Sequence, residues 1–301
     1  MSLRGRLVDA GFWFGWNTLW VMPESMARAL FDIVGRVTWR LNGRGARQLE
    51  ANIARAMGDA ASPAQVRAAS HRALRHYMRY YCETFLLPRW SPERISQAVR
   101  ADNLEPVAAA ARAGGVILTL PHSGNWDLAG AWAAQHLGQI VTVAERLRPE
   151  GVFQKFLRVR RALGITLMPL TGEPGVYEFL RASAVSGAVV PLLGDRDVAR
   201  SGMGVEFFGH RAPMPVGAAL IALDTGLPLF TCCTYYEGAT LVIRFGPQVP
   251  LPAARPVGRE RLRLGAQVTG LIASAFEQDI REHPDSWYQL QPVWPDLVVD
   301  T

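Results

Sequence analysis

Residues 116–137, VILTLPHSGNWDLAGAWAAQHL, run a strand, a turn and a helix together. VILTL (116–120) is a short unbroken apolar run of the kind that fills a buried strand, and LAGAWAAQHL after Asp127 reads as a helix. Pro121 and Gly124 mark the turn between them, and Ser123 or Asn125 can cap the helix. His122 and Asp127 are five residues apart, which on an ideal helix sets them about 140° apart. They converge only if His122 lies in the turn and Asp127 in the first helical turn. The carboxyl end of a strand in an open α/β sheet is where ligands bind. Asp127 is therefore expected to accept the Nδ1 proton of His122, leaving Nε2 to act as a general base. Backbone N–H groups at the helix start are candidates for holding a developing oxyanion.

Outward from this unit the same alternation continues. Strands are expected at 140–143, 165–168 and 188–193, and helices at 150–163, 175–184, 215–224 and 258–281. Residues 229–236 and 240–245 form a hairpin across Glu237-Gly238, in which Leu241, Ile243 and Phe245 alternate with Val242 and Arg244. Upstream, helices are expected over 24–41, 46–57 and 63–87, the last capped by Ser62 with Pro63 behind it. Strands alternating with helices imply an α/β fold with helices on both faces of a sheet. No repeat, low-complexity tract or linker divides the chain, so residues 1–301 read as one domain.

The 301 residues are 49% hydrophobic and 19% charged, enough to bury a full core. The net charge of +6 is almost wholly arginine, because Lys155 is the only lysine. Such a surface suits phosphate or anionic lipid. Nucleic acid is disfavoured, because the arginines are dispersed and no recognition module is present. Cys82, Cys232 and Cys233 make no disulfide framework, and Cys232 and Cys233 should point to opposite faces of a strand. No CxxC, HExxH or spaced Cys/His set suggests a metal site. No G-x-S-x-G elbow accompanies Ser123, so a nucleophilic role for that serine is disfavoured.

Residues 3–22 read as a helix with Arg4 and Arg6 ahead of Phe12, Trp13, Phe14, Trp16 and Trp20, a composition that suits a membrane interface. Its apolar run, 11–22, falls short of the roughly 20 residues a membrane span needs. Residues 3–41 are thus expected to form interfacial, membrane-associated helices.

The chain resembles the HTRB-type family of lipid acyltransferases, and within it the actinobacterial phosphatidylinositol mannoside acyltransferases. Four stretches carry the likeness: PHSGNWDLAGAW (121–132), AERLRPEGVFQKFLRVRRALGI (144–165), GDRDVARSGMGVEFFGHRAPMPVGAALIALDTGLPL (194–229) and DSWYQLQPVW (285–294). The match runs from about residue 10 to 297. The resemblance implies a glycerolipid-acyltransferase-like α/β fold with a mixed sheet. It implies transfer of a fatty acyl group, typically palmitoyl, from acyl-CoA to a mannose hydroxyl, with no further cofactor. It also implies a peripheral location on the cytoplasmic face of the plasma membrane.

Carried onto this chain, the resemblance makes His122 the general base and Asp127 its orienting partner. It suggests a further acid after the strand at 188–193 that helps hold the histidine, for which Asp195 is the candidate. Glu145 and Arg146 are candidates for sugar hydroxyls, Arg160 and Arg196 for phosphate, and Asn125 for substrate contact. Phe207 and Phe208 are candidate walls of an acyl groove. Acylation of another lipid acceptor, and a non-catalytic lipid-binding protein, are the alternatives that remain open.

Overall fold

The computed structural model describes residues 18–19, 21–146, 150–170, 174–198, 200–252 and 255–299. Nearly all of the aromatic segment 3–22 lies outside these residues. Three helices open the described chain: α1 (Glu24–Leu41), α2 (Arg44–Met57) and α3 (Pro63–Leu86). The start of α3 is set as expected. The Ser62 hydroxyl accepts from Gln65 N–H, the Gln65 side chain accepts from Ser62 N–H, and Pro63 needs no donor at the first helical position.

Residues 88–115, unassigned above, hold α4 (Pro92–Ala98), β1 (Val99–Asp102) and α5 (Leu104–Gly114). The Ser91-Pro92 pair was a legible signal, since the Ser91 hydroxyl caps α4 by accepting from Arg94 N–H. The α/β body follows as β2 (Val116–Leu120), α6 (Trp126–His136), β3 (Ile140–Ala144), α7 (Glu150–Ala162), β4 (Ile165–Pro169), α8 (Val176–Val185) and β5 (Val189–Leu193). A small hairpin, β6 (Met203–Phe207) and β7 (His210–Met214), precedes α9 (Gly217–Thr225), β8 (Leu229–Glu237), β9 (Thr240–Gln248) and α10 (Gly258–Glu282). The first hairpin escaped notice because its turn places Phe208 at φ 52° beside Gly209 at φ 73°. A bulky residue at positive φ is not a turn signal.

Seven strands form one mixed sheet in the order β1-β9-β8-β2-β5-β3-β4. Within this sheet β8 and β9 pair antiparallel, and the other neighbours run parallel. Helices cover both faces, and the side-chain alternation of the strands shows it. Ile117, Val190 and Leu192 pack into a core with α8, α9 and α10. Val116, Leu118, Leu120 and Val189 pack into a second core with α6 and α7. Cys232 joins the second core while Cys233 packs separately with Tyr235 and Val242, and all three cysteines are free and buried.

The C-terminal segment is a buried strap. Trp287 bridges to Ser123, Gly124 N–H donates to the Ser286 carbonyl, and Tyr288 N–H donates to the His122 carbonyl. Trp287 and Trp294 are fully buried beside Phe207. No described helix is long and apolar enough to cross a membrane.

Candidate active site

Strands β2 and β5 are parallel neighbours, with Leu120 opposite Leu193 at their carboxyl ends. Two residues beyond each end stand His122 and Asp195. Shared register brings them together: His122 Nδ1 lies 2.6 Å from Asp195 Oδ1, and His122 N–H donates to Asp195 Oδ2 at 3.0 Å. The strap completes the carboxylate's shell, since Trp287 Nε1–H and the Gln289 amide each donate to Asp195 Oδ2 at 2.8 Å. An ionised carboxylate only accepts, so in the neutral imidazole the proton between them sits on Nδ1 and Nε2 carries the free lone pair. The Gln289 nitrogen also lies 3.2 Å from Nδ1, a packing contact once that proton points at Asp195.

Asp195 is fully buried. Burial pushes its carboxyl up, but the His122 charge and the hydrogen bonds from His122, Gln289 and Trp287 outweigh that and hold it at about 2. His122 remains 17% exposed, and its ring meets the edge of Trp126 with centroids 5.5 Å apart. Gly124 makes the turn possible. Its φ of +54° and a backbone that leaves any Cβ 2.6 Å from Thr234 together exclude other residues.

The expected contact between His122 and Asp127 is not formed. Asp127 is buried in the first turn of α6, as read, but faces a different pair of partners. Arg160 of α7 grips it with Nε at 2.6 Å from Oδ1 and a terminal nitrogen at 3.0 Å from Oδ2. Tyr80 of α3 donates to Oδ2 at 2.9 Å. Burial, with Asp127 alongside, pushes the Tyr80 phenol well up, so it stays a neutral donor. A side chain at the first helical turn projects toward whatever packs on that helix, and here α3 and α7 supply the donors. Arg160 is thus committed to Asp127.

Asn125, expected to contact substrate, is fully buried. Its Oδ1 caps α6 by accepting from Leu128 N–H, and its amide donates to Glu83 at 2.9 Å. Glu83, unnoticed in the sequence, is a buried hub whose other contacts are Arg28, Arg79 and Tyr236. Ser123 Oγ accepts from Thr234 N–H and lies near the Pro121 carbonyl. Of the backbone N–H groups in the turn, those of His122, Ser123, Gly124 and Leu128 are already engaged.

A cavity of about 820 Å³ adjoins His122. At the carboxyl ends of the strands its lining is polar, with Tyr77, Tyr81, Glu145, Arg160 and Arg196 around His122. Arg196 pairs with Glu145 at 3.2 Å, and the Tyr77 and Tyr81 hydroxyls share a hydrogen bond of 2.8 Å. Arg146 is exposed, pairs with Glu150 and is absent from the lining. Deeper, the lining turns apolar: Ala129, Gly130 and Ala133 of α6 face Ile140, Ile165 and Val189, the first residues of β3, β4 and β5. Phe207 and Phe208 are not in it; both are buried with Trp287 and Trp294 as core. Among the described residues no three His, Cys, Asp or Glu side chains are grouped to hold a metal ion.

Trp126, Tyr80, Glu83, Trp287 and Gln289 are the site residues the sequence did not single out. The last two fall in DSWYQLQPVW, a recognisable stretch whose individual roles have no local pattern.

Comparison with known proteins brings in relatives. The family described as bacterial lipid A biosynthesis acyltransferase matches residues 6–295. A phosphatidylinositol mannoside acyltransferase of Mycolicibacterium smegmatis is 36% identical over 297 residues, covering 98% of this chain and 93% of the relative. One of the same name from Mycobacterium tuberculosis is 36% identical over 299 residues, covering 97% and 90%.

Proposed function

Because the chain belongs to the bacterial lipid A biosynthesis acyltransferase family, we propose that it moves a long fatty acyl group, palmitoyl, from acyl-CoA to a mannose hydroxyl of a phosphatidylinositol mannoside. The observation that carries this reading is a His122–Asp195 dyad placed where a polar mouth meets a deep apolar cavity. Nε2 of His122 takes the proton of the attacking hydroxyl as its oxygen bonds to the thioester carbonyl. Asp195 stabilises the imidazolium that results. Collapse of the tetrahedral intermediate breaks the C–S bond, and the imidazolium returns its proton to the departing thiolate. Asp127 acts through α6, which Arg160 and Tyr80 lock against α3 and α7.

The apolar part of the cavity suits a long acyl chain. From Gly194 to Val189 it follows β5 for five residue steps, roughly 16 Å of strand. One leaflet of a bilayer's hydrocarbon core is about 15 Å deep. Glu145 and the Tyr77–Tyr81 pair are the groups suited to sugar hydroxyls, and Arg196 the cation suited to a phosphate.

A peripheral position on the cytoplasmic face of the plasma membrane fits the outer face of α1. Met26, Leu30, Ile33, Val37 and Leu41 recur at helical spacing and are 43–76% exposed, with Arg36 and Arg40 flanking them. The deciding experiment is mass spectrometry of the product from palmitoyl-CoA and a phosphatidylinositol mannoside mixture. A mannoside one palmitoyl heavier is expected with the wild type and not with His122→Ala. Acylation only of a lysophospholipid or another glycolipid acceptor would replace the substrate while keeping the chemistry.

A further inference from the structure

A second cavity, of about 420 Å³, lies between α1 and α3, beside the Gly238–Ala239 turn of the β8–β9 hairpin. Arg72, Arg75, His76 and Arg79 line it from α3 and Arg28 from α1. The four α3 residues follow the spacing i, i+3, i+4, i+7 and share one helix face. Tyr77 and Tyr81 of the same helix line the His122 cavity instead, so the two cavities are separate.

Two of these arginines are fully used. Arg79 donates to Glu83 and, through both terminal nitrogens, to the Gly238 and Ala239 carbonyls at 2.7 Å. Arg28 is held by Glu24 and Glu83. The other two are not. Arg72 gives only its Nε to Asp285, and Arg75 only its Nε to Asp32. Among the described residues their four terminal nitrogens have no protein partner. His76 bonds the Asp285 carbonyl through Nδ1, and its Nε2 has no hydrogen-bond partner among the described residues. Arg72, Arg75 and His76 therefore line one concave space with these groups uncommitted, and Asp285 and Asp32 hold the two guanidinium groups in place.

We infer that this cavity binds a phosphate group. Forked guanidinium pairs match phosphate oxygens two at a time, and anchoring each fork by its Nε lowers the ordering cost of binding. The volume exceeds that of a bare phosphate, and Asp32 at the wall can accept from hydroxyls, so a phosphate carried on a small polar headgroup fits the space. The site adjoins the catalytic scaffold on two sides. Asp285 starts the strap that reaches Trp287 and Gln289, and Glu83 joins Arg28 and Arg79 to Asn125, the cap of α6.

The test reads binding and is independent of the proposed reaction. Inorganic phosphate is titrated calorimetrically into the full chain at low salt. Saturable binding is expected, weakened at least about tenfold, or roughly 1.4 kcal/mol, in Arg72→Gln/Arg75→Gln and unchanged in Arg263→Gln, a surface arginine of α10. No saturable binding to the wild type, or equal affinity in the double variant, overturns the inference. Should that variant not fold, hydrogen exchange on the wild type replaces it: phosphate should protect amides within 72–79 and 284–287, and unaltered exchange there overturns the site. Glycerophosphoglycerol separates the sources. Tighter binding than inorganic phosphate assigns a lipid headgroup, and equal binding a free phosphate.

Discussion

His122 and Asp195 stand two residues beyond Leu120 and Leu193, which are paired across adjacent parallel strands, and this shared register sets their 2.6 Å contact. Asp195 in turn is held by Trp287 and Gln289 from the C-terminal strap, so three distant segments meet at one carboxylate. Several expectations rest on this arrangement.

Asp195→Asn should lower kcat for acyl transfer roughly 10²–10⁴-fold, the usual worth of general-base assistance, while KM for the acceptor changes little. An amide can present the wrong group to Nδ1 and no longer stabilises the imidazolium. Initial rates over a range of acceptor concentrations check it; a kcat within threefold of wild type would remove the dyad from the mechanism.

Asp127→Ala should act first on stability. It leaves the largely buried Arg160 guanidinium without its carboxylate, a loss that reaches about 3–5 kcal/mol when the pair is fully buried. Denaturant unfolding of the variant measures this. A loss below about 1 kcal/mol, with activity abolished, would instead place Asp127 at the reacting atoms.

Acid stability should carry the mark of Asp195. Its folded value of about 2 lies below the ordinary 3.8, so its stabilising contribution is fully present above pH 3.8 and is lost as pH falls toward 2. At about 1.4 kcal/mol per pH unit the contribution is on the order of 2 kcal/mol. Unfolding free energy measured across this interval should fall less steeply in Asp195→Asn; parallel curves for the two proteins would count against the assignment.

Gly130→Val should shift the enzyme toward shorter acyl donors. A Cβ at this position already comes within 3.0 Å of Ile165 Cδ1, and both residues line the apolar part of the cavity. Each methylene excluded is worth about 0.8 kcal/mol, roughly fourfold in kcat/KM. Competition between donors of different length reads the preference, and an unaltered ranking would show that the chain lies elsewhere.

Much of the fold was legible because it is written locally. The run 116–120, the Pro121 and Gly124 turn, the Ser62 cap and the alternation in 240–245 each name their element from neighbours along the chain, and the structure bears out all four. The β6–β7 hairpin is not legible locally, because Phe208 at its turn adopts a positive φ while its ring packs against Trp287 and Trp294 and its N–H donates to Glu277.

For the site, the residues alone determined that His122 sits in a turn at the carboxyl end of a buried strand, with Asp127 in the helix that follows. They did not determine which carboxylate holds the imidazole. Spacing pointed to Asp127, and only resemblance pointed to Asp195, 73 residues away. Tertiary structure decided between them. Parallel pairing of β2 with β5 delivers Asp195 to the histidine, while Arg160 and Tyr80, 33 and 47 residues from Asp127, claim that carboxylate for themselves. Local chemistry selects an element and the face a side chain occupies; the partner on that face is set by strand register and by which donors the packing of distant helices brings there.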